Sequence, residues 1–260
     1  MAHLKSYAKT DIGRWRKNNE DHYLIIDDAS KGFDTHRYGS MFVVADGMGG
    51  HAAGEVASKM ACKEMTNYYY RIIDGPSAPP SSQTLLNRIE AVILKANRNI
   101  YLHGQRNKEY YGMGTTLSVL VLWGSFGLIG HVGDSRIYRQ RDRGLEQLTV
   151  DQTEVQALVE KGYLTPAQAA IHPYRNILLQ AVGVSEDLEE VFTRIEAVKP
   201  GDVYLLCSDG LHDMVSDEGI QRVLNDYPDP QQACEHLIEL ALKYGGKDNV
   251  TTVVVQVQPS

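Results

Sequence analysis

The stretch from Thr115 to Val150 constrains the fold more than any other part of the chain. Residues 115–123, 126–132, 135–140 and 145–150 are apolar, β-branched runs of strand length, separated only by tight turns that contain glycine. Connections this short leave no room for a crossover helix, so the strands must pair mainly antiparallel. Further strands are expected at 22–26, 41–44, 191–197, 203–207 and 250–257. Helical spacing covers 52–73, with Val56, Met60 and Met65 on one face, and 84–103, striped by Leu85, Ile89, Val92, Ile93 and Ala96. Shorter helices follow at 153–161, 166–171, 216–225 and 230–244. Strands and helices are therefore grouped rather than alternating, which predicts an α+β fold with antiparallel sheets. The two long helices after Asp46 and the two near the end are placed to cover the outer faces of two stacked sheets.

The Pro- and Ser-rich segment 74–82 interrupts helical spacing and reads as a loop between two helices, so a single domain over 1–260 is expected. A chain of 260 residues, 43% hydrophobic, can bury a substantial core. No apolar run approaches the ~18 residues of a membrane span. The start, Met1-Ala2-His3-Leu4-Lys5, lacks the apolar stretch of a secretory signal. A cytoplasmic protein without membrane attachment is the expectation. A net charge of −7 argues against nucleic acid as a ligand, since phosphate backbones need a basic face. Cys62, Cys207 and Cys234 are odd in number and far apart, which predicts buried, reduced thiols and no zinc-thiolate site. No heptad or large apolar stripe requires assembly, so a monomer is expected. Tyr68-Tyr69-Tyr70 falls within a helix and reads as packing plus rim.

Acidic residues punctuate the strands. Val43-Val44-Ala45-Asp46-Gly47 is an apolar run that stops on a carboxylate, and Leu205-Leu206-Cys207-Ser208-Asp209-Gly210 repeats it. Ile129-Gly130-His131-Val132-Gly133-Asp134 does so more loosely, and Lys247-Asp248-Asn249 precedes an apolar run. Strand ends reach the surface, so four such acids can converge on one rim. Clustered carboxylates raise one another's pKa unless a cation neutralises them, which points to hard, oxygen-ligated metal ions. Asp46-Gly47-Met48-Gly49-Gly50-His51 adds a Gly47 carbonyl and a histidine at a helix start. Arg16-Lys17-Asn18-Asn19-Glu20-Asp21 joins a planar phosphate-binding side chain to two acids. Each motif alone is a common turn composition; the combination is informative. Other chemistries lack support: there is no dinucleotide fingerprint, no Gly-Lys-Ser/Thr loop, and no nucleophile-elbow context at Ser135 or Ser208.

In chain order, Arg16 with Asn19-Glu20-Asp21, the Asp46–His51 motif, Gly114-Thr115-Thr116, Gly133-Asp134-Ser135-Arg136, Ser208-Asp209-Gly210 and Asp248-Asn249 resemble the bacterial branch of the metal-dependent serine/threonine protein phosphatases, type 2C. The resemblance runs from Asp11 to Val255. It implies a four-layer α-β-β-α sandwich with a metal cluster at one end of two central sheets. By the same resemblance Asp46 bridges two Mn²⁺ or Mg²⁺ ions, the Gly47 carbonyl binds one, and Asp209 and Asp248 complete the protein ligands of the other. Asp21 and Glu20 hold metal-bound waters, while Asp134, with Asp209 and Asp213, takes a weaker third ion. Arg16 grips the substrate phosphate. His51 is a candidate general acid, with a water on the third ion as its rival.

Residues 151–184 match the flap of bacterial members. This chain begins it with Asp151-Gln152-Thr153 where many relatives have Asp-His-Ser, while His172-Pro173-Tyr174-Arg175-Asn176 fits the family pattern. The implied activity is hydrolysis of phosphoserine and phosphothreonine in proteins by metal-activated water, opposing a cognate kinase. A regulatory pseudophosphatase is the main alternative, disfavoured by the intact set of Asp46, Asp209, Asp248 and Arg16. A phosphatase of small phosphoesters or phosphotyrosine is another.

Overall fold

The structure is a computed structural model that describes residues 3–49, 53–70 and 80–258. Chain order begins with β1 (Leu4–Asp11), β2 (Asp21–Ile26), α1 (Thr35–Tyr38), β3 (Ser40–Met48), α2 (Ala53–Met65), α3 (Asn67–Tyr70) and α4 (Ser82–Arg106). Then come β4 (Gly114–Thr115), β5 (Leu117–Trp123), β6 (Phe126–Val132), β7 (Arg136–Arg141), β8 (Gly144–Gln147), α5 (Glu154–Glu160) and α6 (Pro166–Ala170). The chain continues through β9 (Phe192–Ala197), β10 (Val203–Cys207), α7 (Asp209–His212), α8 (Asp217–Asp226), α9 (Pro230–Lys243) and β11 (Val250–Val257).

Two antiparallel sheets result. One has the order β1-β11-β10-β7-β8, and the other β2-β3-β5-β6-β9 with β4 paired to β3. The period-two geometry of strands explains why their sequences read as unbroken apolar runs rather than alternating ones. Phe42 and Val44 of β3 pack with Leu120, Ile129, Leu206, Val253 and Val255 between the sheets. The intervening Met41, Val43 and Ala45 face α2 and α4. Across the molecule Leu205, Cys207, Val250 and Val254 point to α7, α8 and α9. The architecture is thus α+β in four layers, helices–sheet–sheet–helices, as the resemblance implied.

Several expectations need correction. β1 was not anticipated, because Leu4-Lys5-Ser6-Tyr7-Ala8-Lys9-Thr10-Asp11 carries no apolar run; it is an edge strand recruited by register with β11. The turn at 133–135 is not a hairpin: β6 belongs to one sheet and β7 to the other, so the chain changes sheets there. The helix expected over 52–73 ends at Met65, where Thr66 Oγ1 donates to the Lys63 carbonyl at 2.7 Å and competes with the helical ladder. A separate turn, α3, follows, and its Tyr68 and Tyr69 hydroxyls donate to the carbonyls of Tyr38 and Gly39. On α2 the buried face is built from small residues, Ala53, Gly54, Ala57, Ser58, Ala61 and Cys62, together with Met65. Val56 and Met60 lie half-buried at its border. Most of the segment 74–82 lies outside the described residues; Ser81 caps α4 by accepting the Thr84 N–H. All three cysteines are free and buried. No helix among the described residues is long and apolar enough to cross a membrane.

Candidate active site

β3 does not stop at Asp46. It runs on to Met48, and Asp46 marks the point where its ladder changes partner: Asp46 is opposite Asp21 of β2, whereas Gly47 is opposite Thr115 of β4. Local hydrogen bonds fix this point. The Asp46 N–H donates to Thr116 Oγ1 at 3.0 Å, and the Asp46 carbonyl accepts the Thr116 N–H at 2.8 Å and Thr115 Oγ1 at 2.9 Å. Gly47 is required by close approach, since a Cβ there would lie 2.2 Å from the Gly54 carbonyl oxygen and 2.6 Å from that of Glu20.

The other acids arrive from the opposite sheet. Asp209 opens α7 directly after β10, and its Oδ1 is buried without a hydrogen-bond partner. Asp134 lies in the sheet-changing turn before β7, and Asp248 stands two residues before β11. Asp21 sits beneath them. Its Oδ2 accepts the hydroxyls of Ser208 and Thr251, both at 2.7 Å, while Oδ1 is left without a partner. Arg16 Nη2 reaches Asp248 Oδ2 at 2.5 Å.

One cleft of about 810 Å³ gathers Arg16, Lys17, Glu20, Asp46, Gly47, Asp134, Asp209 and Asp248. Asn176 and Leu178, from the segment between α6 and β9, form part of its wall. Five carboxylates thus face two cations. The consequence is visible in their protonation. Burial first, then the charges of Asp21, Asp209, Asp134 and Asp248, raise the Asp46 carboxyl well above its ordinary range. Asp209 is raised likewise, by burial and then Asp134, Asp248, Asp213 and Asp21. Asp134 is pushed up to about 7 by burial and by Asp151 and Asp213, against the pull of Arg136. Asp21 is pushed up to about 6 by burial, with the Thr251 and Ser208 hydroxyls opposing.

Desolvated oxygens with unmet hydrogen-bonding capacity and mutual repulsion are the donor set that a hard divalent cation satisfies. The carboxylates do not converge on one point, however: among the described residues no three His, Cys, Asp or Glu side chains form a metal-holding cluster. Asp213 stands apart from the cleft. Arg175 Nη2 and Asn176 Nδ2 hold its Oδ2 at 2.8 and 2.9 Å, in an adjacent cavity of about 310 Å³ that shares Asp134 with the main cleft. His51 lies outside the described residues. His172 makes a local turn, its Nδ1 accepting the Tyr174 N–H at 3.2 Å.

Several contributors escaped sequence reasoning. Gln152, where the expected histidine is replaced, donates its N–H to the Gly133 carbonyl and accepts the Gly133 N–H on Oε1, both at 2.8 Å, next to Asp134. Thr116 and Ser135 join their hydroxyls across the two sheets at 2.6 Å. In Gly114-Thr115-Thr116 the two adjacent hydroxyls are the local mark of these contacts.

Comparison with known proteins agrees with this geometry. The family described as Protein phosphatase 2C matches residues 18–243. The serine/threonine protein phosphatase PstP of Mycobacterium tuberculosis is 40% identical over 98% of this chain, which spans 45% of that protein's length. The serine/threonine phosphatase stp of Listeria monocytogenes is 34% identical, over 95% of this chain and 94% of its own. A crystal structure of the catalytic domain of PstP in complex with two manganese ions superposes with a TM-score of 0.80 at 36% identity, covering 98% of this chain and 99% of that one. The match takes in the segments that carry Asp46, Asp134 and Asp209, and the two-sheet architecture is shared: the chain belongs to the protein phosphatase 2C family.

Proposed function

We propose that this chain is a divalent-metal-dependent phosphatase that hydrolyses phosphoserine and phosphothreonine in proteins. The surplus of desolvated carboxylates facing Arg16 across one cleft carries the proposal. The names of relatives at 34–40% identity and the manganese of the PstP structure support it. Asp46, the Gly47 carbonyl, Asp209 and Asp248 would hold two Mn²⁺ or Mg²⁺ ions. Asp21 and Glu20 would orient water bound to the ions, and Asp134 with Asp209 would take a weaker third ion, supported by Asp213 from the adjacent cavity. When bound, the ions supply an activated water and a Lewis-acid clamp on the phosphoryl oxygens.

The protein's own groups do the rest. Arg16 presents a planar guanidinium to two phosphoryl oxygens and stabilises charge that builds on them as the ester bond breaks. Its pKa is raised by the hydrogen bond to Asp248, so it stays cationic throughout. Glu20, close behind, tilts toward the protonated form through burial. His51, which precedes α2 in the sequence, would donate the proton that the departing serine or threonine alkoxide needs. Residues 151–184 form a flap on one catalytic domain, bringing Asn176 and Leu178 to the substrate side. In the cell the protein acts in the cytoplasm as a monomer, opposing a cognate serine/threonine kinase.

Assay of the purified chain on phosphoserine, phosphothreonine and phosphotyrosine peptides and on a small phosphoester, with Mn²⁺ or with chelator, tests this. Turnover of the first two, abolished by chelator and restored by Mn²⁺, is expected. Full activity in chelator would sink the proposal, and metal binding without turnover would mark a regulatory pseudophosphatase.

A further inference from the structure

Arg16 belongs to a segment without regular structure, the turns of residues 12–20 between β1 and β2. Its side chain is 52% exposed, and a long cation on a loose loop would have to be ordered each time substrate bound. One buried residue fixes the loop. Asn249, 4% exposed, donates from Nδ2 to the carbonyls of Ile12 and Asn18, both at 2.9 Å, and its Oδ1 accepts the Glu20 N–H at 2.8 Å. Two acceptors on one side and one donor on the other leave a single orientation for the amide. Ile12 and Asn18 bracket the five residues that contain Arg16, so both ends of the loop are tied to one side chain.

The same residue sets the other half of the pair. The Asn249 N–H donates to Asp248 Oδ1 at 2.8 Å, leaving Oδ2 for Arg16 at 2.5 Å. Further ties of this loop come from Arg14, through its N–H on the Gly246 carbonyl and its Nε on that of Leu242, from the Gly13 N–H on Asp11 Oδ1 at 2.8 Å, and from Asn19 Nδ2 on Thr10 Oγ1 at 2.9 Å. The last two join the loop to β1, whereas Asn249, the residue next to Asp248, links both of its ends. Resting on the phosphatase reading above, we infer that Asn249 is a positioning residue for the substrate phosphate, acting through Arg16. It holds the guanidinium at the cleft in advance, so that phosphate binding does not have to order the loop.

A double-mutant cycle on the full chain tests this. The readouts are KM and kcat on a phosphothreonine peptide at saturating Mn²⁺, inorganic phosphate as a competing ligand, and the calorimetric Mn²⁺ affinity. Asn249→Ala should raise KM and the phosphate inhibition constant about tenfold, the scale of one or two lost hydrogen bonds. Its kcat should stay within about threefold and its Mn²⁺ affinity within about twofold, because the backbone contact to Asp248 remains. In an Arg16→Ala background the same substitution should leave KM unchanged, since the group it positions is gone. Asn249→Asp keeps the Glu20 contact but cannot donate when ionised. It should raise KM in the same way, and it carries the cycle should the alanine variant not fold. An unchanged KM in the single variants, or an equal loss with and without Arg16, overturns the inference. Absence of turnover in the unsubstituted chain overturns the phosphatase reading instead. Calorimetric binding of inorganic phosphate then still decides whether Asn249 acts through Arg16.

Discussion

At the scale of single residues, Arg16 and Asp248 pair at 2.5 Å but are 52% and 32% exposed. An exposed pair contributes at most about 1 kcal/mol, so its value is functional rather than structural. Arg16→Ala should therefore leave thermal stability nearly unchanged while lowering kcat/KM about 100-fold, with Mn²⁺ affinity retained. Equal loss of metal and substrate binding would contradict the role given to it. Asp209 makes the opposite case. It suffers repulsion from Asp134, Asp248, Asp213 and Asp21, so Asp209→Ala should raise the melting temperature in chelator while abolishing the stabilisation that Mn²⁺ confers. A variant that Mn²⁺ still stabilises fully would remove Asp209 from the ligand set. The candidate acids and Arg16 were legible because each is announced by its own neighbours: an apolar run ending in a carboxylate, or an arginine beside acids. Ser208 and Thr251, which hold Asp21 from 187 and 230 positions away, were not. A hydroxyl carries no local mark of the partner it will meet.

At the scale of elements, the strands of the central run were legible because they are short, apolar and closely spaced. Their sheet membership was not. β6 and β7 are separated by only three residues yet enter different sheets, and this places Asp134 beside the acids of the other sheet. Packing decided it. Gly130 lets α4 close on β6, for a Cβ there would stand 2.5 Å from Ile89 Cγ2 and 2.8 Å from Ile93 Cδ1. Gly130→Val should overpack this contact and cost about 1–3 kcal/mol, read as a lower denaturation midpoint with an unchanged slope. No loss would mean that α4 and β6 are less tightly joined than their distances imply. The α2 face was misjudged for a related reason. Its buried side is made of small residues that admit close approach, and the larger Val56 and Met60 fall to its edge.

At the scale of the whole molecule, the two sheets bring together charges that local sequence keeps apart, and this has a cost that depends on pH. Asp134 titrates near 7 and Asp21 near 6 in the folded protein, against an ordinary value of 3.8. Carboxyls raised in this way bind protons in the folded state that the unfolded chain has already lost. Their contribution to stability is fully present below about pH 4 and is lost as pH rises through 6 and 7. The buried His131 and His212, held down to about 4 mainly by burial, act in the opposite direction, but only below their ordinary 6.5. Between about pH 6.5 and 8 the carboxyls therefore decide the sign. The chelated protein should lose about 1 kcal/mol or more across that window, measured by urea denaturation, and saturating Mn²⁺ should abolish the slope. A chelated protein equally stable at both ends would show that these acids do not repel as their positions imply. By itself the sequence determined the α+β class, most elements, the family and the acids with their arginine, because these rest on local periodicity and on motifs that are contiguous in the chain. Only the tertiary structure decided which strands share a sheet, that Gln152 grips Gly133, that hydroxyls hold Asp21, and that Asn249 ties down the Arg16 loop. Those are contacts between distant segments, and their partners are chosen by packing rather than by neighbours in sequence.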